Sequence, residues 1–295
     1  MTDTMPREAR QPVDAAKLAA AYGLKPVGRR PSLSLYLRQA WRRRHFAWSL
    51  AWFRAFSRSG KDRLGALWFV LTPLILAVVY YFMFGVVLQT RQGIPNFIGY
   101  LTIGVFLFHF TSRSLSSGSK SMVGSQGLIR SLRFPRIILP VSKVLEQVIS
   151  LVPALGVMFV VVIVAPPKES ISLAWLLVIP AVLIQSVFNV GLALIVARIG
   201  AQSHDALNLI PFFGRYLFYT SAVFYEADKF IDNPTALALL RANPVYAFLN
   251  ISREAVLNGR AAPLSMWMQV SVWALALLVI GVLVFWRYEE HYGRD

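Results

Sequence analysis

Residues 137–165 read "IILPVSKVLEQVISLVPALGVMFVVVIVA", a run in which Lys143 and Glu146 are the only charged residues. A helix rises about 1.5 Å per residue, so this run is longer than the roughly 30 Å hydrocarbon core of a bilayer. In lipid, a helix satisfies its backbone N–H and C=O groups within the segment itself. The stretch therefore predicts a transmembrane helix.

Five other apolar runs approach the same length. Together the six predicted spans cover about residues 64–88, 97–117, 137–165, 171–199, 206–225 and 264–286. Composition agrees, with 56% hydrophobic residues, 15% charged residues and a mean hydropathy of +0.55. The alternation typical of barrel strands is absent. We therefore predict an all-α integral membrane protein, with six transmembrane helices over residues 61–290.

The distribution of basic residues predicts the orientation. Fourteen Lys and Arg residues precede the first span, whereas the first two loops on the opposite side hold only Arg91 and Lys168. The loop after the second span adds Lys120, Arg130, Arg133 and Arg136. Basic loops face the cytoplasm, so both termini are expected there. Topology thus explains the net charge of +16, and we expect no nucleic-acid partner because no base-reading module is recognisable.

The N-terminal region divides into two parts. Residues 1–31, with four prolines and scattered arginines, predict a disordered cytoplasmic tail. Residues 32–60 are too charged to span, but Trp41, Trp48 and Trp52 share one helical stripe at 100° per residue. This pattern predicts an amphipathic helix in the membrane interface, bound to lipids. The alternative is a helix packed on a soluble domain.

Residues 226–263 form a long segment between the fifth and sixth spans. Within it, "NPVYAFLNISREAVLNG" carries an apolar stripe through Val245, Phe248, Leu249 and Ile251, but is too short and charged to span. We predict short or re-entrant helices that cap the external side.

Patterns typical of enzymes are missing. The chain has no cysteine, and its histidines are isolated at positions 45, 109, 204 and 291, so no metal-ligand spacing exists. The segment "SSGSKS" at 116–121 has serine where a phosphate-binding loop needs glycine, at Ser114 and Ser119. We therefore expect no catalytic residue, metal or cofactor in this chain, and any ATP must be bound by another one.

Four segments resemble one family of membrane proteins. They are "LGALWFVLTPL" at 64–74, "GLIRSLRFPRIILP" at 127–140, "TSAVFYEADKF" at 220–230 and "NPVYAFLNISREAVLNGR" at 243–260. In this order they resemble permease subunits of type-2 ABC exporters of polysaccharides, O-antigens, teichoic acids and galactan, and the similarity extends over about residues 33–290. Ala222 departs from the family, which often has proline there, and this predicts a less bent exit from the fifth span.

The resemblance implies a transport subunit that is not an enzyme by itself. It implies a homodimer in the bacterial plasma (inner) membrane, joined to two copies of an ABC ATPase that bind ATP and Mg. The substrate would be a polyprenyl-pyrophosphate-linked polysaccharide moving from the cytoplasmic to the outer leaflet. The basic, aromatic N-terminal region favours an actinobacterial galactan precursor. Alternatives are teichoic acid or small lipophilic or drug substrates, and a membrane enzyme of lipid or glycan synthesis.

The basic loop is the predicted contact with the ATPase. Residues 127–134 are expected to form about two helical turns, ended by Pro135 because the residue before proline avoids the α region. The predicted coupling residues are Leu128, Arg130, Leu132, Arg133, Phe134 and Pro135. The alternative is an ordinary basic loop attracted to anionic lipid.

The predicted substrate channel combines one cation with aromatic rings. Arg215 lies in the fifth span, where a charge is costly and usually faces a polar interior, and arginine binds phosphate through paired hydrogen bonds. Pairing with Glu146 or extension to the lipid surface are the alternatives. The aromatic candidates for contact with sugar rings are Tyr80, Tyr81, Tyr216, Tyr219, Phe224 and Tyr225. An interfacial aromatic belt would explain them equally well.

Overall fold

The computed structural model describes residues 22, 31–59, 67–87, 94–132, 134–164, 169–227 and 233–289. Most of the predicted tail and the loops with Arg91 and Lys168 lie outside these ranges. Within them all regular structure is helical, in agreement with the predicted all-α class. The helices are α1 Leu33–Arg42, α2 Arg44–Ser59, α3 Trp68–Tyr80, α4 Phe97–Ser119, α5 Gln126–Ser131, α6 Ile138–Val164, α7 Val178–Gln202, α8 His204–Thr220, α9 Pro234–Ala242, α10 Pro244–Leu257 and α11 Leu264–Arg287. A π-helix, Tyr81–Val87, continues α3, and a 3-10 helix, Leu173–Leu177, precedes α7.

Three helical segments of the described chain have the length and apolar composition needed to cross a membrane. They are Ile138–Val164, Leu173–Gln202 and Leu264–Arg287. Their outward side chains are mostly apolar, as at Val160, Leu183 and Val272, which are all exposed. A large exposed apolar surface is unfavourable in water and favourable in lipid, so these helices are membrane-embedded.

Helix α4 is more polar because it lies at the centre of the helix bundle. It packs against α6, α7, α8 and α10, and most of its side chains are buried. Gln185 of α7 donates to the Leu107 carbonyl and to Thr111 Oγ1, at 3.0 and 2.9 Å. A helix shielded by other helices can keep polar groups that it could not expose to lipid.

Helices α7 and α11 make the most extensive helix–helix contact among the described residues. A Cβ atom added to Gly281 of α11 would lie 2.6 Å from the Gly191 carbonyl oxygen of α7. The two backbones can approach this closely only because both positions lack a side chain. The pair therefore forms a tightly packed support behind α4.

The helices connect two distinct ends of the molecule. At the basic end, defined by α1, α2, α5 and the end of α11, the Trp286 indole donates to the Pro31 carbonyl at 2.9 Å. At the far end, defined by α9, α10 and the start of α4, Asn96 donates to Glu169 at 3.1 Å. The described N-terminal and C-terminal segments thus meet at the basic end.

The predicted interfacial helix is two helices rather than one. The backbone turns at Arg43, whose N–H reaches the carbonyls of Gln39 and Ala40. The tryptophan stripe points away from the bundle, with Trp41 70% exposed and Trp48 and Trp52 also exposed. A neighbouring row of small residues, Ala47, Ala51 and Ala55, is buried and brings α2 against α6. Small residues allow two helices to approach closely, which explains why this row, and not the tryptophans, faces the protein.

Candidate functional site

The predicted coupling helix is shorter than the sequence indicates. Helix α5 ends at Ser131, and Leu132 is already extended at φ −130° and ψ 139°, so Pro135 does not end the helix. The Ser131 hydroxyl donates to the Gly127 carbonyl at 2.9 Å, and serine side chains that bond back to the backbone weaken helix continuation. Arg133 lies outside the described residues.

The residues of this segment divide into a packed group and an exposed group. Leu128 and Phe134 pack against the chain's own basic-end core, where the rings of Phe134 and Phe46 meet edge-on at 5.4 Å. Pro135 is half-buried, whereas Arg130 is exposed and Leu132 is 50% exposed. Of the five predicted coupling residues that the structure describes, Arg130 and Leu132 therefore lie on the outside.

The end of α11 holds the turn that joins this segment to α6. The Glu289 carboxylate accepts hydrogen bonds from the Arg136 N–H at 3.0 Å and from the Tyr36 hydroxyl at 2.7 Å. The Arg136 guanidinium donates in turn to the Glu289 carbonyl at 2.7 Å. Burial raises the pKa of Glu289 above its ordinary value, and these hydrogen bonds oppose that rise. Helices α1, α6 and α11 are thus linked next to α5.

Helix α2 is tied to the same region by one arginine. Arg54 donates to Ser125, just before α5, at 3.0 Å and to Ser142 of α6 at 3.3 Å. Burial lowers the pKa of this guanidinium, while the charge of Glu146 acts in the opposite direction. A displacement of α5 would therefore be transmitted to α2 and α6 together.

Helix α8 exposes an aromatic face. Leu209, Phe212, Phe213, Tyr216 and Tyr219 recur at helical spacing and are all exposed, Tyr219 by 57%. Arg215 is exposed on the same helix, with its guanidinium 5.3 Å from the Phe212 ring centre. Glu146, the alternative partner considered for Arg215, binds Lys143 of its own helix at 2.8 Å.

The other predicted channel aromatics lie beside this face. Tyr80 packs against Phe218 at 5.2 Å, and Tyr81 against Phe97 at 6.3 Å. The Tyr225 hydroxyl donates to the Tyr219 carbonyl at 2.9 Å. Phe224 is only 9% exposed and packs below Tyr219 and Tyr225, so it supports the aromatic face from inside and does not form its surface.

Helix α4 has one partly exposed surface, and it is polar. Between Gly99 and Ser119 every residue is buried except His109, Ser112, Arg113, Ser116 and Ser117, which we call the polar window. Lys120 follows, exposed, at the end of the helix. The window was not among the predicted site residues, although Arg113 interrupts an otherwise apolar span. The spacing of His109, Arg113, Ser116 and Lys120 places polar residues on one helical face and would have identified the window.

The polar window meets α8 at Gly214, on the buried side of that helix and opposite its aromatic face. A Cβ atom added to Gly214 would lie 3.8 Å from the Ser112 hydroxyl and 3.8 Å from Leu115. His109 Nε2 and the Ser117 hydroxyl are buried and have no hydrogen-bond partner among the described residues. Among all the residues that the structure describes, no group of three or more acidic or histidine side chains could hold a metal ion.

At the far end, α10 holds the turn that follows α8. Asn243 accepts from the Val245 N–H at 2.9 Å, and its amide donates to the Thr220 carbonyl at 3.0 Å. The buried Arg253 donates to the carbonyls of Ala222 and Val223 at 3.1 and 2.8 Å. Asn243 and Arg253 therefore fix the exit of α8, and we call this arrangement the far-end clasp.

The turn in the clasp is sharp, contrary to the mild bend predicted from Ala222. Its backbone has φ 46°, a value that the proline ring cannot adopt. Gly104 of α4 lies underneath, because a Cβ atom there would come 2.5 Å from Arg253 Nη2. A cavity of about 590 Å³ opens beside the clasp, lined by Tyr100, Tyr246, Asn250 and three glutamates.

Comparison with known proteins places the chain among transport proteins. An O-antigen export system permease protein of Klebsiella pneumoniae is 26% identical over 203 residues, which are 68% of this chain and 76% of the relative. A protein of the same name from Myxococcus xanthus is 26% identical over 226 residues, 76% of this chain and 82% of the relative. The polysialic acid transport protein KpsM of Escherichia coli is 22% identical over 240 residues, which are 79% of this chain and 90% of the relative.

The chain also matches a known protein family. The ABC-2 type transporter family matches residues 47–257, which include α3 to α10, the polar window and the far-end clasp. This range is more than half of the chain and contains both surfaces described above. The chain therefore belongs to the ABC-2 type transporter family.

Proposed function

We propose that this chain is the membrane subunit of an ATP-driven exporter of a lipid-linked polysaccharide. The observation that carries the proposal is the polar window of α4, which lies next to α8, a helix whose outer side is aromatic. A partly exposed row of His109, Arg113 and serines is unfavourable against lipid tails. Such a row is instead typical of a surface that borders a water-filled path.

A second copy of the chain would close this path. The window lies where α4 meets α8, and the aromatic face lies on the outer side of α8. In the proposed homodimer two such surfaces enclose one channel, with six spans in each subunit. Arg215, Tyr216 and Tyr219 would then line it, together with the less exposed Tyr80, Tyr81 and Tyr225, while Phe224 supports them.

The aromatic rings suit a glycan because sugar rings present C–H faces that stack on them. The relatives named for O-antigen export and for polysialic acid transport support a polysaccharide cargo. We propose a polyprenyl-pyrophosphate anchor, with a galactan precursor as the favoured glycan. Teichoic acid or a small lipophilic compound is the second candidate, because an aromatic path also accepts an apolar molecule.

The basic end is proposed to face the cytoplasm and to bind two ABC ATPase subunits. Arg130 and Leu132 are exposed there, next to the links made by Arg54 and Glu289. Movement of the ATPase would thus reach α2, α6 and α11 through α5. At the opposite, external side, α9 and α10 would act as re-entrant helices that control the exit of α8.

The test is depletion of the protein in its own cells. We expect a lipid-linked glycan to accumulate in the cytoplasmic leaflet and its surface form to decrease, and analysis of the accumulated lipid identifies the substrate. Plasmid-borne wild-type protein should restore export. A variant carrying Leu132→Asp should not, because the ATPase would no longer engage. Normal surface glycan after complete depletion, with no accumulated lipid, contradicts the proposed function.

A further inference from the structure

The polar window contains an unusual combination of groups for the interior of a helix bundle. Arg113 provides a permanent positive charge, Ser112 and Ser116 provide hydroxyl donors, and His109 lies one turn away on the same side. No acidic residue belongs to the window. The chemistry is therefore that of a site for an anion with several oxygen atoms.

The depth of the window matches the position of a lipid headgroup entering the membrane. Arg113 precedes Lys120, at the basic end of α4, by seven residues. At 1.5 Å per residue this is about 10 Å along the helix axis. A phosphate at headgroup depth would meet Lys120 first and would reach Arg113 after moving about one third of the way across the hydrocarbon core.

Gly214 of α8 packs at one edge of the window. A Cβ atom at this position would be in ordinary contact distance of Ser112 and Leu115, so a larger side chain would extend towards the window. His109 Nε2, buried and without a hydrogen-bond partner among the described residues, indicates that a polar group from outside the described chain completes this region.

We infer that Arg113, with the hydroxyls of Ser112 and Ser116, binds the diphosphate of a prenyl-linked substrate in the cytoplasmic half of the path. This inference rests on the proposed function and assigns it a first anion site. Arg113 can donate two parallel hydrogen bonds to one phosphate, and the serines can donate to the other oxygens. Arg215, on the neighbouring helix, would contact the diphosphate at a later position along the path.

The experiment measures ligand binding by native mass spectrometry of the permease–ATPase complex in nanodiscs of zwitterionic lipid. The probes are farnesyl diphosphate, farnesol and inorganic pyrophosphate. Wild type should bind farnesyl diphosphate at least about tenfold more tightly than either of the other two. Arg113→Gln should remove this preference, Arg113→Lys should retain part of it, and Gly214→Leu should weaken binding while Arg113 is still present.

Arg42→Gln is the matched control, because it removes an exposed basic-end charge away from the window. Each variant must elute as an intact complex with its ATPase. Equal binding by wild type and Arg113→Gln overturns the inference, as does equal affinity for farnesol or for free pyrophosphate. Complete displacement of farnesyl diphosphate by phosphatidylglycerol would also overturn it, since the site would then bind ordinary anionic lipid.

The anion site and the export function can be contradicted independently of each other. If Arg113→Gln binds the probe normally but depletion still causes a lipid-linked glycan to accumulate, the anion site is wrong and the export function stands. If depletion leaves export unchanged, the function itself is contradicted, whatever the window binds.

Discussion

Single residues of the basic loop have opposite roles that its sequence does not distinguish. Leu132 and Phe134 are both apolar and lie two positions apart, but Leu132 is half exposed whereas Phe134 contacts Phe46. A residue that faces outward can contribute to binding without contributing to stability. A residue packed inside contributes to stability first.

Leu132→Asp should therefore reduce co-purification of the ATPase by about tenfold or more, because an apolar anchor is replaced by a charge at the centre of an interface. The apparent melting temperature of the isolated membrane subunit should not change. Leu132→Met, which keeps an apolar side chain of similar volume, is the control and should bind normally. Undiminished ATPase recovery with Leu132→Asp would exclude this residue from the contact.

Phe134→Ala, unlike Leu132→Asp, should destabilise the protein. Loss of a half-buried phenyl ring should lower the free energy of unfolding by about 1–2 kcal/mol, roughly half the cost for a fully buried one. Thermal denaturation of the purified subunit measures this loss of stability. An unchanged melting temperature would mean that the contact with Phe46 contributes little.

Arg253 and Gly104 form one unit in the far-end clasp. Arg253→Met would leave the buried carbonyls of Ala222 and Val223 without their charged donor and should cost about 3 kcal/mol or more. Gly104→Ala should also destabilise, because its methyl group would meet both Arg253 Nη2 and the Val223 carbonyl. Since both changes disturb the same contact, Gly104→Ala should cost clearly less in the Arg253→Met background. Additive shifts in melting temperature would contradict this coupling.

At the scale of elements, the sequence predicts which segments are helical more reliably than which side of each helix is buried. The all-α class and the resemblance to type-2 ABC permeases are confirmed. The apolar stripe of α2 was easy to identify, yet the packed row is alanine, because contact between helices depends on close approach as well as on hydrophobicity. Likewise, Arg253 belongs to a segment that resembles a family motif. Its hydrogen bond to the Ala222 carbonyl, however, depends on a fold that brings together residues 31 positions apart.

The alanine row gives a test of how α2 is held. Ala51→Leu should push α2 away from α6 and lower the free energy of unfolding by about 1–3 kcal/mol, the usual cost of overpacking a tight contact. It should also break the Arg54–Ser142 hydrogen bond and increase amide exchange in α2. Phe53→Leu, on the exposed side of the same helix, is the control. Unchanged exchange in Ala51→Leu would show that α2 is not fixed by this row.

For the whole molecule, the decisive question is which exposed surface faces water and which faces lipid. The outward residues of α11 are as exposed as those of α8, with Val272 at 66% and Tyr219 at 57%, so exposure alone does not separate them. Their chemistry does. The α8 face combines tyrosines with Arg215, whereas Val272 belongs to a long helix with a mostly apolar outer surface.

The absence of cysteine from the chain makes this difference directly measurable. In intact membranes, Tyr219→Cys should react with a membrane-impermeant maleimide, because a thiol in an aqueous path ionises and reacts, whereas Val272→Cys in lipid should remain unmodified. Binding of the lipid-linked substrate should slow the labelling of Tyr219→Cys, since a glycan on the aromatic face would cover the thiol. Val272→Cys should be labelled only after the membrane is dissolved in detergent, which also verifies that the protein is present. If both thiols are equally inert before detergent is added, the α8 face borders lipid, and the path between two subunits must be sought on another surface.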